Sequence, residues 1–269
     1  MWIKGMKKMK KKKYWLLGLL ASVLLLPQHT VLAGSYQVIQ RYPSDRSWFT
    51  QGLELNDDNK LLIGSGRYGQ SKLGELDLTT GTIKVLATLP SNLFGEGITI
   101  TQTALWQLTY KEHQALKRNR QTYEVEKIYH YDGEGWGIAY DQTRQVLWMT
   151  NGSAILQKRD PETFDLLAEI PITYQGKPLE RVNELESVDG YLYANVWQTN
   201  QIIKLDPMTG VVQDTVDLTP LLQQYQLLAQ PHTTGAPDYL NGIAHIDGNR
   251  FYITGKLYPD LFEVELELK

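Results

Sequence analysis

The chain has 269 residues, of which 27 are Lys or Arg and 30 are Asp or Glu, and it contains no cysteine. Seven of the basic residues and none of the acidic ones fall within the first 33 positions, so the rest of the chain carries 20 basic against 30 acidic side chains. This acidity disfavours binding to nucleic acid or to an anionic membrane, and the lack of cysteine excludes a disulfide framework.

The first 33 residues have the three-part composition of a secretory signal. Lysines precede an apolar stretch, 14–26, and small residues up to Ala33 follow it. We therefore predict a signal peptide at 1–33 that is cleaved after Ala33, so that the protein is exported to the periplasm or secreted without a stable membrane anchor. Retention as an N-terminal anchor is the alternative, although the apolar stretch is short and Pro27 ends it.

Residues 34–269 are predicted to form one all-β domain. Short runs rich in Val, Ile, Leu, Tyr and Thr alternate with Gly, Asp, Asn and Pro, which is the pattern of short strands and tight turns. Examples are KLLIGSG, ALWQLTY, QVLWMTNG, YLYANVW and RFYITGK. One segment departs from this pattern. The leucine spacing of 217–230, DLTPLLQQYQLLAQ, predicts a short helical insertion that begins near Pro220.

A triplet motif recurs five times along this domain. Its copies are Gln51-Gly52-Leu53, Glu96-Gly97-Ile98, Trp136-Gly137-Ile138, Asn183-Glu184-Leu185 and Asn241-Gly242-Ile243. The copies are 45, 40, 47 and 58 positions apart, and each leads into a further apolar strand. Units of this length are typical of β-propeller blades. The sequence therefore predicts a five-bladed β-propeller in which 35–42 supplies the outermost strand of the last blade. Two packed sheets would not account for five copies of one motif.

The first residues of the triplets are expected to meet at one end of a central channel, because the inner strands of a propeller all run the same way. They are Gln51, Glu96, Trp136, Asn183 and Asn241. Glu96 is the only carboxylate among them, and partial desolvation would raise its pKa toward the range that suits proton transfer. For Asn241, a structural role in hydrating the channel or bonding a neighbouring strand is as plausible as a functional one.

The ends of the second strands carry further polar and aromatic residues. Lys111, Trp197 and Lys256 are expected to border the channel mouth, which would make a concave site for a small, partly polar ligand. Trp106 and Trp148, which are flanked by apolar strand residues, are expected to pack between blades. The histidines are scattered without the spacing of metal ligands, so no metal site is predicted.

A series of motifs resembles a known family, in the same order along the chain. The motifs are FTQGLEL (49–55), FGEGIT (94–99), LTYK (108–111), EGWGI (134–138), VNELE (182–186), ANVWQ (194–198), LNGIA (240–244) and TGKLYP (254–259). They are similar to those of the plant and bacterial glutaminyl-peptide cyclotransferases. The resemblance implies a five-bladed propeller and an acyltransferase that converts the N-terminal glutamine of peptides or proteins to pyroglutamate with release of ammonia. We expect catalysis without a cofactor and a monomeric protein.

The resemblance also implies roles for individual residues. The family's essential glutamate matches Glu96, and its motif asparagine and lysine match Asn183 and Lys256, so these three are expected to be catalytic. The substrate-binding residues implied in the same way are Phe49, Gln51, Tyr110, Trp136 and Trp197. Tyr110 and Tyr258 stand where tryptophan is common in the family, a difference that bears on substrate preference more than on activity.

The implied reaction is intramolecular, because the α-amine of the substrate attacks its own γ-carbonyl. The enzyme then has to hold the reactive conformer and move a proton from the amine to the departing ammonia, a role that we assign to Glu96. Lys256, together with Asn183 or Gln51, is expected to donate hydrogen bonds to the oxyanion of the tetrahedral intermediate.

Two other functions are compatible with a propeller of this composition. One is a non-catalytic protein that binds sugars or peptides through an aromatic rim. The other is a glycosidase, which normally needs two opposed carboxylates, and in which Glu134 or Glu184 would partner Glu96.

Overall fold

A computed structural model describes residues 1–2 and 34–269. Apart from its first two residues, the predicted signal peptide lies outside the described part of the chain, so its cleavage and the export of the protein stay predictions. Among the described residues, no helix is long and apolar enough to cross a bilayer. The regular secondary structure of residues 34–269 is all β-strand, as predicted, apart from one short helix.

The strands of 34–269 form five sheets, four with four strands and one with six. In chain order the elements are β1 (Ser35–Pro43), β2 (Thr50–Leu55), β3 (Leu61–Ser65), β4 (Lys72–Leu76), β5 (Ile83–Thr88), β6 (Gly95–Ile100), β7 (Leu105–Thr109), β8 (Gln114–Arg118), β9 (Val125–His130), β10 (Ile138–Asp141), β11 (Val146–Thr150), β12 (Ile155–Arg159), β13 (Leu166–Pro171), β14 (Thr173–Tyr174), β15 (Lys177–Pro178), β16 (Val182–Val188), β17 (Tyr191–Val196), β18 (Gln201–Asp206), β19 (Val211–Asp217), α1 (Thr219–Gln224), β20 (Leu240–Asp247), β21 (Arg250–Gly255) and β22 (Asp260–Glu267).

Each sheet is one blade of a closed ring. The inner strands are β2, β6, β10, β16 and β20, and each of them contacts the next, with β20 returning to β2. The blades are therefore β2–β5, β6–β9, β10–β13, the sheet that contains β16–β19, and β20–β22 with β1. This arrangement confirms the five-bladed β-propeller predicted from the repeated triplet.

The last blade is completed by the strand that begins the domain. β1 pairs antiparallel with β22, from Ser35 opposite Glu267 to Pro43 opposite Asp260. Without β1, the edge of β22 would expose unpaired backbone groups. The predicted closure by 35–42 is confirmed, and the strand extends one residue further at its C-terminal end.

Two local features differ from the prediction. Blade 4 carries an additional hairpin, β14–β15, whose first strand runs parallel to β19, and no strand signal in the sequence indicated it. The predicted helical insertion is helical only over Thr219–Gln224. Beyond it, Gln226 adopts φ +59° and the Leu227 amide donates to Leu222 O at 2.7 Å. This left-handed turn brings Leu227 into the core without a further helical turn.

The inner strands approach one another closely at the glycines of the triplets. A Cβ on Gly137 would lie 1.9 Å from Asn183 O, and one on Gly97 would lie 2.6 Å from Trp136 O. Only glycine tolerates such contacts between backbones. Between the blades the core is apolar, and both Trp106 and Trp148 are fully buried in it, as expected.

Candidate active site

A cavity of about 360 Å³ opens at the end of the channel where the inner strands begin. Its walls contain all eight residues to which the resemblance assigned a catalytic or substrate-binding role: Phe49, Gln51, Glu96, Tyr110, Trp136, Asn183, Trp197 and Lys256. The residues that line it without having been predicted are Phe94, Gln198, Pro231, His232, Asp238 and Tyr239.

The propeller repeat explains how side chains distant in sequence reach one cavity. Gln51, Glu96 and Asn183 are each the second residue of an inner strand, and Trp136 lies two residues before β10. All four therefore lie near the start of an inner strand, at the same end of the channel. The second strands return to the same end, which delivers Tyr110, Trp197 and Lys256 from β7, β17 and β21, respectively.

In each blade, a residue with a left-handed backbone conformation follows the second strand. In blades 1, 3, 4 and 5 it is the second residue after the strand, with positive φ at Arg67, Gly152, Gln198 and Leu257. In blade 2 the left-handed residue is His113, two positions later than in the other blades. The chain therefore turns away later in blade 2, which changes the direction of the side chains before the turn.

Lys111, which lies in this longer turn, does not line the cavity, so its predicted place at the mouth is wrong. Its side chain is 57% exposed, and Nζ lies 3.6 Å from a carboxylate oxygen of Glu134. The same ammonium stands 4.7 Å from the ring centroid of Tyr110. Lys111 thus supports the outer side of the cavity wall rather than its interior.

Glu96 is buried and fixed by two amides. Nε2 of Gln51 donates to Oε1 of Glu96 at 3.0 Å, and Nδ2 of Asn241 donates to Oε1 of Gln51 at 3.3 Å and to Thr50 O at 3.1 Å. The structural role left open for Asn241 is therefore the one observed, because it orients Gln51. Gln51 in turn gives one of its N–H groups to Glu96, so it positions that carboxyl group.

Burial shifts both ionisable groups of the cavity floor toward their neutral forms. It raises the pKa of Glu96 well above the usual 4.5, an effect that Lys256 opposes and that the charges of Glu134 and Glu112 reinforce. It lowers the pKa of Lys256 from the usual 10.5, while the carboxylates of Glu96 and Asp238 oppose the decrease. Each group thus stabilises the charge of the other in a site that disfavours both charges.

The side chain of Asn183 has an amide oxygen that is free to accept a hydrogen bond from a ligand. Its side chain is 3% exposed, and Oδ1 is buried without a hydrogen-bond partner among the described residues. Its backbone oxygen is already used, since it accepts a hydrogen bond from Thr150 Oγ1 at 2.9 Å. A buried amide oxygen without a partner is costly, so a polar ligand or water in the cavity would stabilise it.

Aromatic rings form the walls above these polar groups. On one side Phe94 lies 6.4 Å from Phe49 and 5.6 Å from Tyr110 between ring centroids. On the other side Trp197 stands edge-on to Trp136 at 5.5 Å and to Tyr239 at 5.9 Å. The cavity is therefore polar at its floor and apolar at its sides, as is usual for a site that orients a small ligand.

The unpredicted wall residues come from two sources. Phe94 and Gln198 lie within the FGEGIT and ANVWQ motifs, which could have indicated them. Pro231, His232, Asp238 and Tyr239 come from the irregular segment between α1 and β20, which lies outside the repeat. No periodicity assigns such a segment to the channel mouth.

The other acidic and aromatic candidates lie outside the cavity wall. Both carboxylate oxygens of Glu184 accept backbone N–H groups, from Leu53 at 3.2 Å and from Ile243 at 2.8 Å. Glu134 accepts a hydrogen bond from Nε1 of Trp136 at 3.0 Å and does not line the cavity. Neither lines the cavity together with Glu96, as the second carboxylate of a glycosidase would be expected to do. Tyr258 is buried beneath the rim and also does not line the cavity.

Comparison with known proteins identifies the family. The family model for glutamine cyclotransferase matches residues 16–266. A glutaminyl-peptide cyclotransferase of Arabidopsis thaliana is 31% identical over 233 residues, which cover 86% of this chain and 71% of the plant protein. The solved structure of a glutaminyl cyclase from Myxococcus xanthus matches with a TM-score of 0.76 and 30% identity, over 88% of this chain and 98% of that one.

A more distant match concerns the fold alone. A chain of a nidogen–laminin complex has a TM-score of 0.51 at 14% identity, over 77% of this chain and 72% of that one. The family match, in contrast, confirms both the resemblance seen in the sequence motifs and the expectation of an acyl-transferring enzyme. The chain therefore belongs to the glutamine cyclotransferase family.

Proposed function

We propose that this enzyme cyclises the N-terminal glutamine of peptides or proteins to pyroglutamate and that Glu96 moves the proton. The observation that carries the proposal is the composition of the cavity floor. A buried carboxyl group, a buried amine and an amide with an unpartnered oxygen lie together inside an aromatic wall. These groups suit a reaction that needs proton transfer and stabilisation of an oxyanion but no nucleophile from the enzyme.

The first step is attack of the neutral α-amine of the substrate on the carbon of its own γ-carboxamide. The new N–C bond closes a five-membered ring, and the carboxamide oxygen becomes an oxyanion. The ring nitrogen then carries an extra proton, which the Glu96 carboxylate accepts. The raised pKa of Glu96 makes it a stronger base than an exposed carboxylate.

The second step expels ammonia. Glu96 returns the proton to the former amide nitrogen, the C–N bond breaks, and the carbonyl of the lactam re-forms. One proton is taken up and given back, so the carboxylate is regenerated. The intramolecular attack gains most from confinement, and the walls formed by Trp136, Trp197 and Tyr110 would hold the folded conformer and exclude water.

Lys256 and Asn183 are the groups best suited to stabilise the oxyanion. The Lys256 side chain is 4% exposed, so its charge acts in a weakly screened environment. Gln51 is engaged with Glu96 and takes the positioning role instead. Within residues 34–269, no group of three His, Asp or Glu side chains that could hold a metal ion was found, and catalysis without a cofactor stays a prediction.

Incubation with a short peptide that begins with glutamine tests the proposed function. We expect loss of one ammonia from the peptide by mass spectrometry, with an equal amount of free ammonia released. The matched control is the same peptide with an acetylated N-terminus, which lacks the nucleophilic amine and should not react. Conversion of neither peptide, under conditions in which the protein is folded, would contradict the proposal.

The dependence of kcat on pH should be bell-shaped and narrow. Attack requires ionised Glu96, whose pKa is raised above 4.5, so the acid limb should lie above that value. Oxyanion stabilisation requires protonated Lys256, whose pKa is lowered below 10.5, so the alkaline limb should lie below that value.

The substrate amine must also be deprotonated to attack, so its titration can produce an acid limb of its own. Substrates with different second residues, whose amines have different pKa values, distinguish that limb from the one that belongs to Glu96. The limb that belongs to Glu96 should stay in place when the pKa of the free amine, titrated independently, changes. An acid limb that follows the amine in every substrate would contradict the role of Glu96 as base.

A further inference from the structure

A second cavity, of about 260 Å³, lies beside the active site. Pro231, His232 and Asp238 line both cavities, so these side chains form a shared wall. The second cavity is completed by Arg67, by Leu257 and by the rest of segment 230–236. The residues that follow the substrate glutamine have to leave the active site past its rim, and this cavity lies against that rim.

The ring of Phe49 marks the border between the two cavities. On the active-site side, Nζ of Lys256 lies 5.1 Å from its centroid. The guanidinium carbon of Arg67, which lines only the second cavity, lies 4.3 Å from the same centroid. This stacking holds the guanidinium group in place beside the mouth of the active site.

The guanidinium group of Arg67 is free to bind a ligand. Its side chain makes no hydrogen bond and no ion pair within residues 34–269, although the residue is only partly exposed. The nearest acidic residue of the shared wall, Asp238, accepts the Tyr239 amide at 2.6 Å, and its charge acts on Lys256. The second cavity therefore contains a guanidinium group that is oriented and without a counter-ion.

We propose that the second cavity is the subsite for the residue that follows the N-terminal glutamine, and that Arg67 there binds a carboxylate. The carboxylate could be an acidic side chain or the C-terminal carboxylate of a dipeptide. The planar guanidinium group pairs with a carboxylate through two parallel hydrogen bonds, and its stacking on Phe49 reduces the entropy lost on binding. This inference rests on the proposed cyclisation of N-terminal glutamine.

The test compares kcat/KM for amidated dipeptides that differ only in charge: Gln-Glu-NH2, Gln-Gln-NH2 and Gln-Lys-NH2. A charge-assisted hydrogen bond at a partly exposed site is expected to favour Gln-Glu-NH2 over Gln-Gln-NH2 by about tenfold. Arg67→Met should bring this ratio close to one, mainly through KM, and Arg67→Glu should favour Gln-Lys-NH2. Comparison of Gln-Ala with Gln-Ala-NH2 distinguishes a C-terminal carboxylate from an acidic side chain.

Arg46→Met is the matched control. Arg46 is exposed, lies in the connection that leads to Phe49, and lines neither cavity. The Arg46→Met substitution removes the same charge as Arg67→Met and should leave the ratio of kcat/KM for Gln-Glu-NH2 and Gln-Gln-NH2 at its wild-type value. If the Arg67 variants do not fold, the wild-type preference should still weaken as salt screens the pair.

The outcomes separate this inference from the function on which it rests. Equal kcat/KM for all three amidated dipeptides, together with equal kcat/KM for Gln-Ala and Gln-Ala-NH2, would contradict the subsite alone. A preference that persists in folded Arg67→Met, or that is lost equally in Arg46→Met, would also contradict it. Absence of turnover with every peptide would contradict the proposed cyclisation, and the subsite with it.

Discussion

Glu96→Gln is expected to lower kcat for a glutaminyl peptide by about 10²- to 10⁴-fold, because it removes the carboxylate that we propose accepts and returns the proton. The change should leave the fold intact, since the amide oxygen of glutamine can still accept the hydrogen bond from Gln51. The measurement is single-substrate kinetics by ammonia release. Circular dichroism and the melting temperature would show that the variant is folded.

Glu134→Gln is the control for this variant. Glu134 lies outside the cavity wall, and its charge contributes to the raised pKa of Glu96. Its loss should move the acid limb of the pH profile slightly downward and change kcat by less than tenfold. A folded Glu96→Gln protein with kcat within tenfold of wild type would exclude Glu96 as the proton shuttle. A large loss in Glu134→Gln would instead point to a second essential carboxylate.

Glu184→Ala is expected to destabilise the propeller by on the order of 2–5 kcal/mol while affecting activity little in the protein that remains folded. The substitution leaves the buried amides of Leu53 and Ile243 without acceptors, and each unsatisfied group costs about 1–3 kcal/mol. Because these amides belong to β2 and β20, the loss weakens the contact of blade 4 with blades 1 and 5. Urea unfolding, compared at equal m-values, measures the change in the free energy of unfolding.

Two further substitutions define the mechanism of this loss. Glu184→Gln keeps one acceptor oxygen and should cost less than Glu184→Ala. Glu180→Ala, at an exposed position just before the same strand, should change the free energy of unfolding by less than about 0.5 kcal/mol. Equal stability of Glu184→Ala and Glu180→Ala would show that the carboxylate contacts do not hold the blades together.

Glu96 and Glu184 are two buried carboxyl groups of one channel that differ in their hydrogen bonds. Burial raises the pKa of both. Glu184 uses both oxygens to bind backbone amides of other blades, whereas within residues 34–269 only one oxygen of Glu96 makes a hydrogen bond, with Gln51. A raised pKa alone would not separate the two residues, and the direction of each side chain decides between them.

The repeated triplet made two things predictable from sequence: the fold, and the convergence of the first triplet residues at one end of the channel. A triplet that recurs in five blades must occupy equivalent places in a ring, so Glu96 and Asn183 could be brought together across 87 positions without a structure. The aromatic residues at 136 and 197 followed from the same argument. In each case the inference depended on register, which a period of two along a strand defines sharply.

What could not be predicted lies where the repeat is broken. In blade 2 the left-handed residue comes two positions late, and Lys111, the second residue after β7, points outward. The position that Trp197 and Lys256 occupy, directly after the second strand, is held in blade 2 by Tyr110, which does line the cavity. The segment between α1 and β20 is irregular and lies outside the repeat, and it supplies His232, Asp238 and Tyr239 to the cavity wall. The orientation of the Gln51 amide could not be predicted either, because it depends on a hydrogen bond from Asn241, which belongs to another blade.

The pairing of β1 with β22 has a consequence for how the protein is made. β1 is synthesised before every other strand of the domain, yet its partner is synthesised last, and Ser35 bonds Glu267 across 232 positions. Contacts of such separation fold slowly, because a long loop must be closed before they form. A nascent or truncated chain that lacks β22 would have neither a complete fifth blade nor a closed ring. Assembly of the active site therefore awaits translation of the final strand.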